Sequence, residues 1–366
     1  MPPTPESNLL PRSQPVTISV ALEPALNVLN SLFMLNSVEQ LSGLDEWLSR
    51  TAARLGPERL HRNRLVMEGL HFAVLPERRW PSFTAYLDDL AASEPRVLRD
   101  RLLWHLTRHS KQPLPPGAVR EQLVDPATLL SSVDAYLNFL REYFHEFDEA
   151  IETEAHAFFI DPPAMQELIV SHLRELWHTS VAAEWERVQP LLHEAAGAFQ
   201  QLDLAHMTPT AAFRAVTGQD MDEKWERPIA NAGQIIFVPS AHLGPYMRTF
   251  KSGQMVWVLF GARLPDGVPA SHSALSRSDL LVRLGALTDD TRLRILGLLS
   301  QHDELCAQDI MTLLNLTQSA ASRHLRQLSA TGYITERRRE IAKCYSLNRE
   351  RLGDTFHALE RFLNQA

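Results

Sequence analysis

Apolar side chains recur every three and four residues along most of the first 200 positions. Val38, Leu41, Leu44, Trp47 and Leu48 form one such stripe, and Leu129, Leu130, Val133, Leu137 and Leu140 form another. That is the spacing of one face of an α-helix. Breakers interrupt it at Gly56-Pro57, Pro81, Pro113 to Gly117, Asp161-Pro162-Pro163 and Pro190. With a typical helix of about 11 residues, positions 24–201 predict a bundle of roughly eight short helices. The pattern then changes. Gln234-Ile235-Ile236-Phe237-Val238 and Met255-Val256-Trp257-Val258-Leu259-Phe260 are β-branched and aromatic runs bounded by Gly233, Pro239, Gly253 and Gly261. They predict two short strands, near 234–238 and 255–260, paired with one another.

Residues 263–275 hold turn chemistry without periodicity, Leu264-Pro265-Asp266-Gly267-Val268-Pro269 among them, and read as a linker. Beyond it the helical period returns in residues 276–366. Thr288-Asp289-Asp290 reads as a capped helix start, with the hydroxyl as cap and two acids at the positive end of the helix dipole. A second helix over 308–315 carries Ile310, Leu313 and Leu314 as its core stripe. Thr317 caps a third, through Leu328, after a turn so short that the two helices must cross steeply. On this third helix Ala321, Leu325 and Leu328 share one face, opposite Gln318, Ser319, Ser322, Arg323 and Arg326. Gly332 reads as a left-handed cap, and 333–338 and 342–347 as two strands around a tip at Arg339-Glu340-Ile341. A last helix over 349–364 has Leu352, Phe356, Leu359 and Phe362 at helical spacing, a stripe that fits a partner helix.

The fold class expected is therefore mainly α. A large N-terminal helical domain over 15–262, with a small β-hairpin or sheet element, precedes a C-terminal winged helix-turn-helix over 276–366. Residues 1–14, with four prolines, read as a flexible tail. The chain of 366 residues exceeds one ordinary core, and its 45% hydrophobic and 22% charged residues are globular values. Neither a secretory leader nor an apolar run of about 20 residues is present, so a cytoplasmic chain with no membrane association is expected. Two cysteines, Cys306 and Cys344, are too few for a disulfide framework and are expected as reduced thiols.

Net charge is −8 over the chain, but residues 276–366 hold 13 Lys and Arg against 11 Asp and Glu, and residues 1–275 carry the remaining −10. Between 317 and 345 six basic residues stand against two acidic ones. This is where a phosphate backbone would be attracted. On the third helix, Gln318 suits adenine edges, Arg323 guanine edges, and Ser319 and Ser322 bases or phosphates, with Arg326 adding charge. Arg337, Arg338, Arg339 and Lys343 on the wing suit phosphates or a narrow minor groove. His324 either touches a phosphate or packs beside Leu325 and Leu328.

The strings Ala286-Leu287-Thr288-Asp289-Asp290-Thr291-Arg292-Leu293-Arg294-Ile295-Leu296, Glu304-Leu305-Cys306, Gln318-Ser319-Ala320-Ala321-Ser322-Arg323-His324-Leu325-Arg326-Gln327-Leu328 and Gly332-Tyr333-Ile334 resemble successive signatures of ArsR-type repressors. The resemblance covers about a quarter of the chain. It implies a homodimer joined through first and last helices, a third helix in the major groove of double-stranded DNA, and a wing beside it. A pseudo-palindromic operator is then expected. The family's arsenical site has a second cysteine where this chain has Gln308, so Cys306 cannot chelate in that way. At the wing tip Glu340 stands where the family usually has Gly.

Elsewhere the candidates are weaker. Cys306 reads as a metal ligand, a redox sensor or, more simply, a core thiol. Asp354, His357 and Glu360 on the last helix, and Glu152 with His156 one helical turn apart, read as metal sites or, more simply, as solvated faces. His145-Glu146-Phe147-Asp148-Glu149 lacks the second histidine of a zinc-protease helix. The loop Pro239-Ser240-Ala241-His242-Leu243-Gly244-Pro245-Tyr246 either lines a pocket or is a shaped connection. No enzyme, cofactor or metal site is expected. The reading is a sequence-specific DNA-binding transcriptional regulator, a repressor controlled by a signal, such as a small-molecule effector, received in residues 15–262. The alternative is a winged helix reused as a protein-docking or dimerisation module.

Overall fold

The structure is a computed structural model describing residues 16–108, 121–144, 147–221, 223–230, 232–265, 274–339 and 342–364. The expected tail over 1–14, most of the expected linker, the pair His145-Glu146 and the wing-tip residues Glu340 and Ile341 lie outside the described residues. The helices among them are α1 (Pro24–Met34), α2 (Glu46–Arg64), α3 (His71–Val74), α4 (Phe83–Ala92), α5 (Pro95–Leu106), α6 (Pro126–Ser131), α7 (Val133–Tyr143), α8 (Glu149–Phe159), α9 (Pro162–Leu176), α10 (Ala182–Gln200), α11 (Pro209–Thr217), α12 (Glu223–Ala230), α13 (Ala274–Leu287), α14 (Asp290–Gln301), α15 (Ala307–Leu314), α16 (Gln318–Ala330) and α17 (Arg349–Asn364). The strands are β1 (Thr17–Val20), β2 (Gln234–Ser240), β3 (Arg248–Ser252), β4 (Met255–Gly261), β5 (Leu305–Cys306), β6 (Ile334–Arg339) and β7 (Ala342–Leu347).

The mainly helical architecture agrees with the sequence, but ten described helices lie between 24 and 200 where about eight were expected. Proline is the reason. Pro190 sits inside an unbroken α10, while Pro24, Pro95, Pro126, Pro162 and Pro209 open helices, where a missing N–H costs nothing. Several other starts are set by polar caps rather than breakers. Ser82, Ser132 and Asp148 each accept a hydrogen bond from the first turn of α4, α7 and α8.

The expected pair of strands is part of a four-stranded sheet, order β1-β2-β4-β3. Strands β2 and β4 are paired, but in parallel, with Gln234 opposite Met255 and Ser240 opposite Gly261, so they do not form a hairpin. The hairpin is β3–β4, and β1 lies parallel to β2 on the other side, Thr17 opposite Gln234. Strand β1 is four residues long and β3 reads Arg-Thr-Phe-Lys-Ser, so neither shows an apolar run. Both faces of the sheet are covered. Ile236, Val238, Trp257 and Leu259 enter a large core with helices α1 to α9, and Ile235, Phe237, Val256, Val258 and Phe260 enter a second with Phe199, Phe213 and Trp225. Burial on both sides is why the two central strands are apolar throughout rather than alternating.

A third core belongs to the C-terminal unit. Ile295, Ile310, Leu325, Leu328 and Tyr333 are almost wholly buried within it. This unit begins with α13, a helix the sequence reading does not anticipate, and α13 packs against both α17 and α10. Further ties run from the N-terminal unit. Arg214 reaches Glu350 at 3.2 Å, and Gln219 donates to the Ala330 carbonyl at the end of α16.

Candidate nucleic-acid interface

Helices α14, α15 and α16 form a helix-turn-helix core, and β6–β7 form its wing, with β5 completing a sheet of order β5-β7-β6. The cap of α14 is Asp289, which accepts from the backbone of Arg292 at 3.0 Å; the hydroxyl expected in that role, on Thr288, instead bonds Gly285. At α15, Asp309 closes back on the backbone N–H of Cys306 at 3.0 Å. Asn315 then turns the chain in the left-handed conformation, φ 52°, and the next helix starts three residues later. Thr317 caps it as expected, accepting from Ala320 at 3.3 Å. Gly332, φ 79°, releases the chain into the wing.

The faces of α16 divide by exposure. Ala321, Leu325 and Leu328 are buried, while Gln318, Ser319, Ser322, Arg323 and Arg326 are exposed. His324 separates from that set. It is buried at 6% exposure with Nδ1 3.5 Å from Asp289 Oδ1. Burial lowers its pKa, more than the Asp289 carboxylate raises it. Asp289 itself is pushed up by burial but held below its usual range by the Arg292 N–H and the charges of Arg292 and His324. On α15 Ile310 and Leu314 face the core as expected, but Leu313 is 55% exposed, a correction to the predicted stripe.

On the wing Arg337 and Arg339 are exposed and Arg338 holds a strand position between them. Lys343 pairs with Glu336 at 2.8 Å. Two cysteines were expected as free thiols, Cys306 in the core. Instead they are cross-strand neighbours of β5 and β7 joined as a disulfide, with Cys344 fully buried and Cys306 half-buried. The pairing could not be read from spacing, because the two lie 38 residues apart on strands that only the tertiary fold brings together. On α17, Phe356 is 57% exposed and Leu363 62%, and on α13 Leu281 is 59% exposed.

The loop 239–246 is pinned at His242 and also lines a pocket through Ser240, Ala241, Gly244 and Pro245. His242 is buried, with Nδ1 2.7 Å from Ser31 Oγ, Nε2 2.8 Å from Glu184 Oε1, and its ring stacked on Trp47. Burial raises the Glu184 carboxyl, but hydrogen bonds and charge from His242 and Arg187 pull it down to about 2. With Asp45, these groups place three potential metal ligands within 4.8 Å, a cluster sequence reasoning missed because its members lie 58 and more residues apart. The Arg187 guanidinium already grips Glu184, so the cluster is filled as an ion-pair network. No helix of the described residues is long and apolar enough to cross a membrane.

Residues 289–336 match the family model for bacterial regulatory proteins of the arsR family. The same region is 40% identical over 65 residues to an arsenic resistance transcriptional regulator of Pseudomonas putida, ArsR2, covering 18% of this chain and 56% of that one. It is 38% identical over 65 residues to a cadmium resistance transcriptional regulatory protein CadC homolog of Staphylococcus aureus, covering 18% and 54%. The arsenical resistance operon repressor of Escherichia coli is 44% identical over 52 residues, covering 14% and 44%. This chain thus spans about half the length of the curated relatives it matches.

Proposed function

Because the C-terminal region carries an arsR-family helix-turn-helix domain, we propose that this chain is a sequence-specific DNA-binding transcriptional regulator, a repressor whose occupancy is set by a signal received in the N-terminal unit. The observation that carries the reading is the division of α16: its apolar half is locked into the core while Gln318, Ser319, Ser322, Arg323 and Arg326 face outward from its first three turns. A helix presented in this way enters a major groove by its N-terminal residues, and Arg337, Arg339 and Lys343 stand on the neighbouring wing to meet phosphates. His324 lies beneath, with Nδ1 3.5 Å from the Asp289 carboxylate that caps α14. The active species is a homodimer whose interface takes the exposed Leu281, Phe356 and Leu363 out of water. The operator is a pseudo-palindrome with half-sites about one helical turn apart.

The test is selection of genomic fragments by the purified chain at about 150 mM salt, a concentration at which non-specific attraction is screened. The expected outcome is an inverted repeat bound far more tightly than random duplex, with affinity indifferent to Zn(II). Failure to enrich any sequence above background would favour the protein-docking reading of the same surface.

A further inference from the structure

Strand β5 holds the start of α15 against the wing through two cross-strand pairs, Leu305 with Tyr345 and Cys306 with Cys344. The second pair is covalent. On its other side β7 pairs with β6, where Cys344 stands opposite Arg337 and Lys343 opposite Arg338. The bond therefore ties the residue that opens α15 to the β7 residue that faces a wing arginine across the sheet. The sequence has no third cysteine, so this bond exchanges only with a thiol from outside the chain.

Its place in the fold is not that of a staple for a weak core. The C-terminal unit has an apolar core of its own around Ile295, Ile310, Leu325, Leu328 and Tyr333, and a domain of this size folds on such a core without a cross-link. The two sulfurs also differ in their surroundings. Cys344 is fully buried, whereas Cys306 is half-buried. Cys306 caps α15, its sulfur facing the backbone N–H of Asp309, while the Asp309 carboxylate turns back to the Cys306 N–H at 3.0 Å. Backbone donors at a helix start favour a thiolate over a thiol. An incoming nucleophile thus has access to one end of the bond, and that end is the one whose thiolate the fold supports.

We propose that Cys306 is a site of exchange with low-molecular-weight thiols, and that the Cys306–Cys344 bond is a reversible redox couple that fixes the wing for duplex binding when oxidised. The duplex consequence rests on the regulator reading; the exchange does not. In reduction a small thiolate attacks Cys306 Sγ, the S–S bond breaks, and Cys344 leaves as a thiolate that takes up a proton. A second thiolate attacks the outer sulfur of the mixed disulfide and releases Cys306, so the small thiol departs as its own disulfide. In oxidation the Cys306 thiolate attacks a hydroperoxide, whose O–O bond breaks to give a sulfenic acid and an alcohol. The Cys344 thiol then condenses with the sulfenic acid, forming the S–S bond and water. Reduction leaves β5 with the single pair Leu305–Tyr345, so the wing that carries Arg337 is no longer tied to the start of α15.

The full chain is equilibrated in buffers of reduced and oxidised glutathione at several ratios, quenched with acid, and its thiols are counted by mass after alkylation. The pair should interconvert reversibly between disulfide and dithiol across these ratios with the fold retained by circular dichroism. In Cys344→Ala, oxidised glutathione should add once, at Cys306, whereas in Cys306→Ala the buried Cys344 should stay unmodified until urea is added. The reduced wild type, which needs no substitution, should be alkylated by iodoacetamide at Cys306 before Cys344. A bond that resists glutathione until the unit unfolds, equal labelling of the two cysteines, or a dithiol that hydrogen peroxide does not close would overturn the exchange site. The duplex recovered by selection is titrated separately with the oxidised and reduced chain at several salt concentrations. The oxidised form should bind about tenfold more tightly and with the steeper salt dependence. A chain that exchanges thiols in this way but binds no duplex in either state supports the site and removes the regulator reading, whereas equal duplex affinity in both states keeps that reading and overturns the redox control.

Discussion

Gln219, two residues beyond α11, donates its side-chain amide to the carbonyl of Ala330, the last residue of α16. Carbonyls at a helix end have no partner within the helix, so one of these is satisfied by the other folded unit. The same amide lies 3.5 Å from the Pro245 carbonyl, at the end of the loop that His242 pins, and Gln327 of α16 is buried against Gly43. The end of α16 is thus fixed by the N-terminal unit while its start stays open. Gln219→Ala should lower stability by about 1 kcal/mol, read by urea unfolding, without altering the affinity of the isolated operator contact by more than a few-fold. Unchanged stability would mean the contact contributes nothing to docking.

The wing and the helix should separate in their effects. Replacing Arg337, Arg338 and Arg339 with glutamine should weaken binding to any duplex and flatten the slope of log affinity against log salt by up to about 3, while Gln318→Ala should cost about 1–3 kcal/mol on the preferred operator alone. Competition titrations at several salt concentrations measure both. An unchanged slope in the triple variant removes the wing from the interface.

The Cys306–Cys344 bond closes a loop of 38 residues that takes in α15, α16, β6 and the start of β7. By chain entropy such a loop stabilises the fold by about 4 kcal/mol. Reduction with dithiothreitol, or Cys306→Ser with Cys344→Ala, should lower the unfolding midpoint of the C-terminal unit while leaving the N-terminal one in place. Calorimetry with and without reductant resolves the two, and coincident, unshifted transitions would contradict the expectation.

Glu152 and His156 of α8 are not on the solvated face expected of them: His156 is buried against the Leu129 carbonyl, and burial pushes the Glu152 carboxyl up to about 7, partly offset by the hydroxyl of Tyr136. A raised folded value favours the protonated form, so the stability it contributes is full below about pH 4.5 and is lost as pH rises through 7. Glu152→Gln keeps the Tyr136 donor bond without the charge. Its melting midpoint should equal that of the wild type near pH 4.5, pull ahead between pH 4.5 and 7, and hold a constant lead above. A pH-independent difference would show that the folded carboxyl ionises at its unfolded value, so burial does not shift it.

Phe356→Glu should shift the sedimentation coefficient from dimer to monomer and cut operator affinity with it, since half of a two-fold site is lost. A variant that stays dimeric places the interface elsewhere.

The C-terminal unit was readable because its signals are local. Thr317 caps the helix it precedes, and the split between Ala321, Leu325 and Leu328 on one side and Gln318 and Arg323 on the other follows from period alone. What sequence could not supply depends on distant partners. The runs 234–238 and 255–260 declare strands but not their direction, since a strand buried on both faces has no polar side to betray its register. The burial of His324 and the exposure of Leu313 both depend on which helix comes to lie alongside.

The pairing of β1 with β2 has a consequence for synthesis. Its register joins Thr17 to Gln234, so the first strand emerges from the ribosome more than 200 residues before its neighbour. At about 5–20 residues per second that is roughly 10–40 s of waiting. During this time the helices from α1 to α10 can collect by local contacts, but the sheet around which they pack has no second strand. Closure of the N-terminal unit is the slow, long-range step, and the C-terminal unit, whose contacts span fewer than a hundred residues, is set to follow within seconds of its completion.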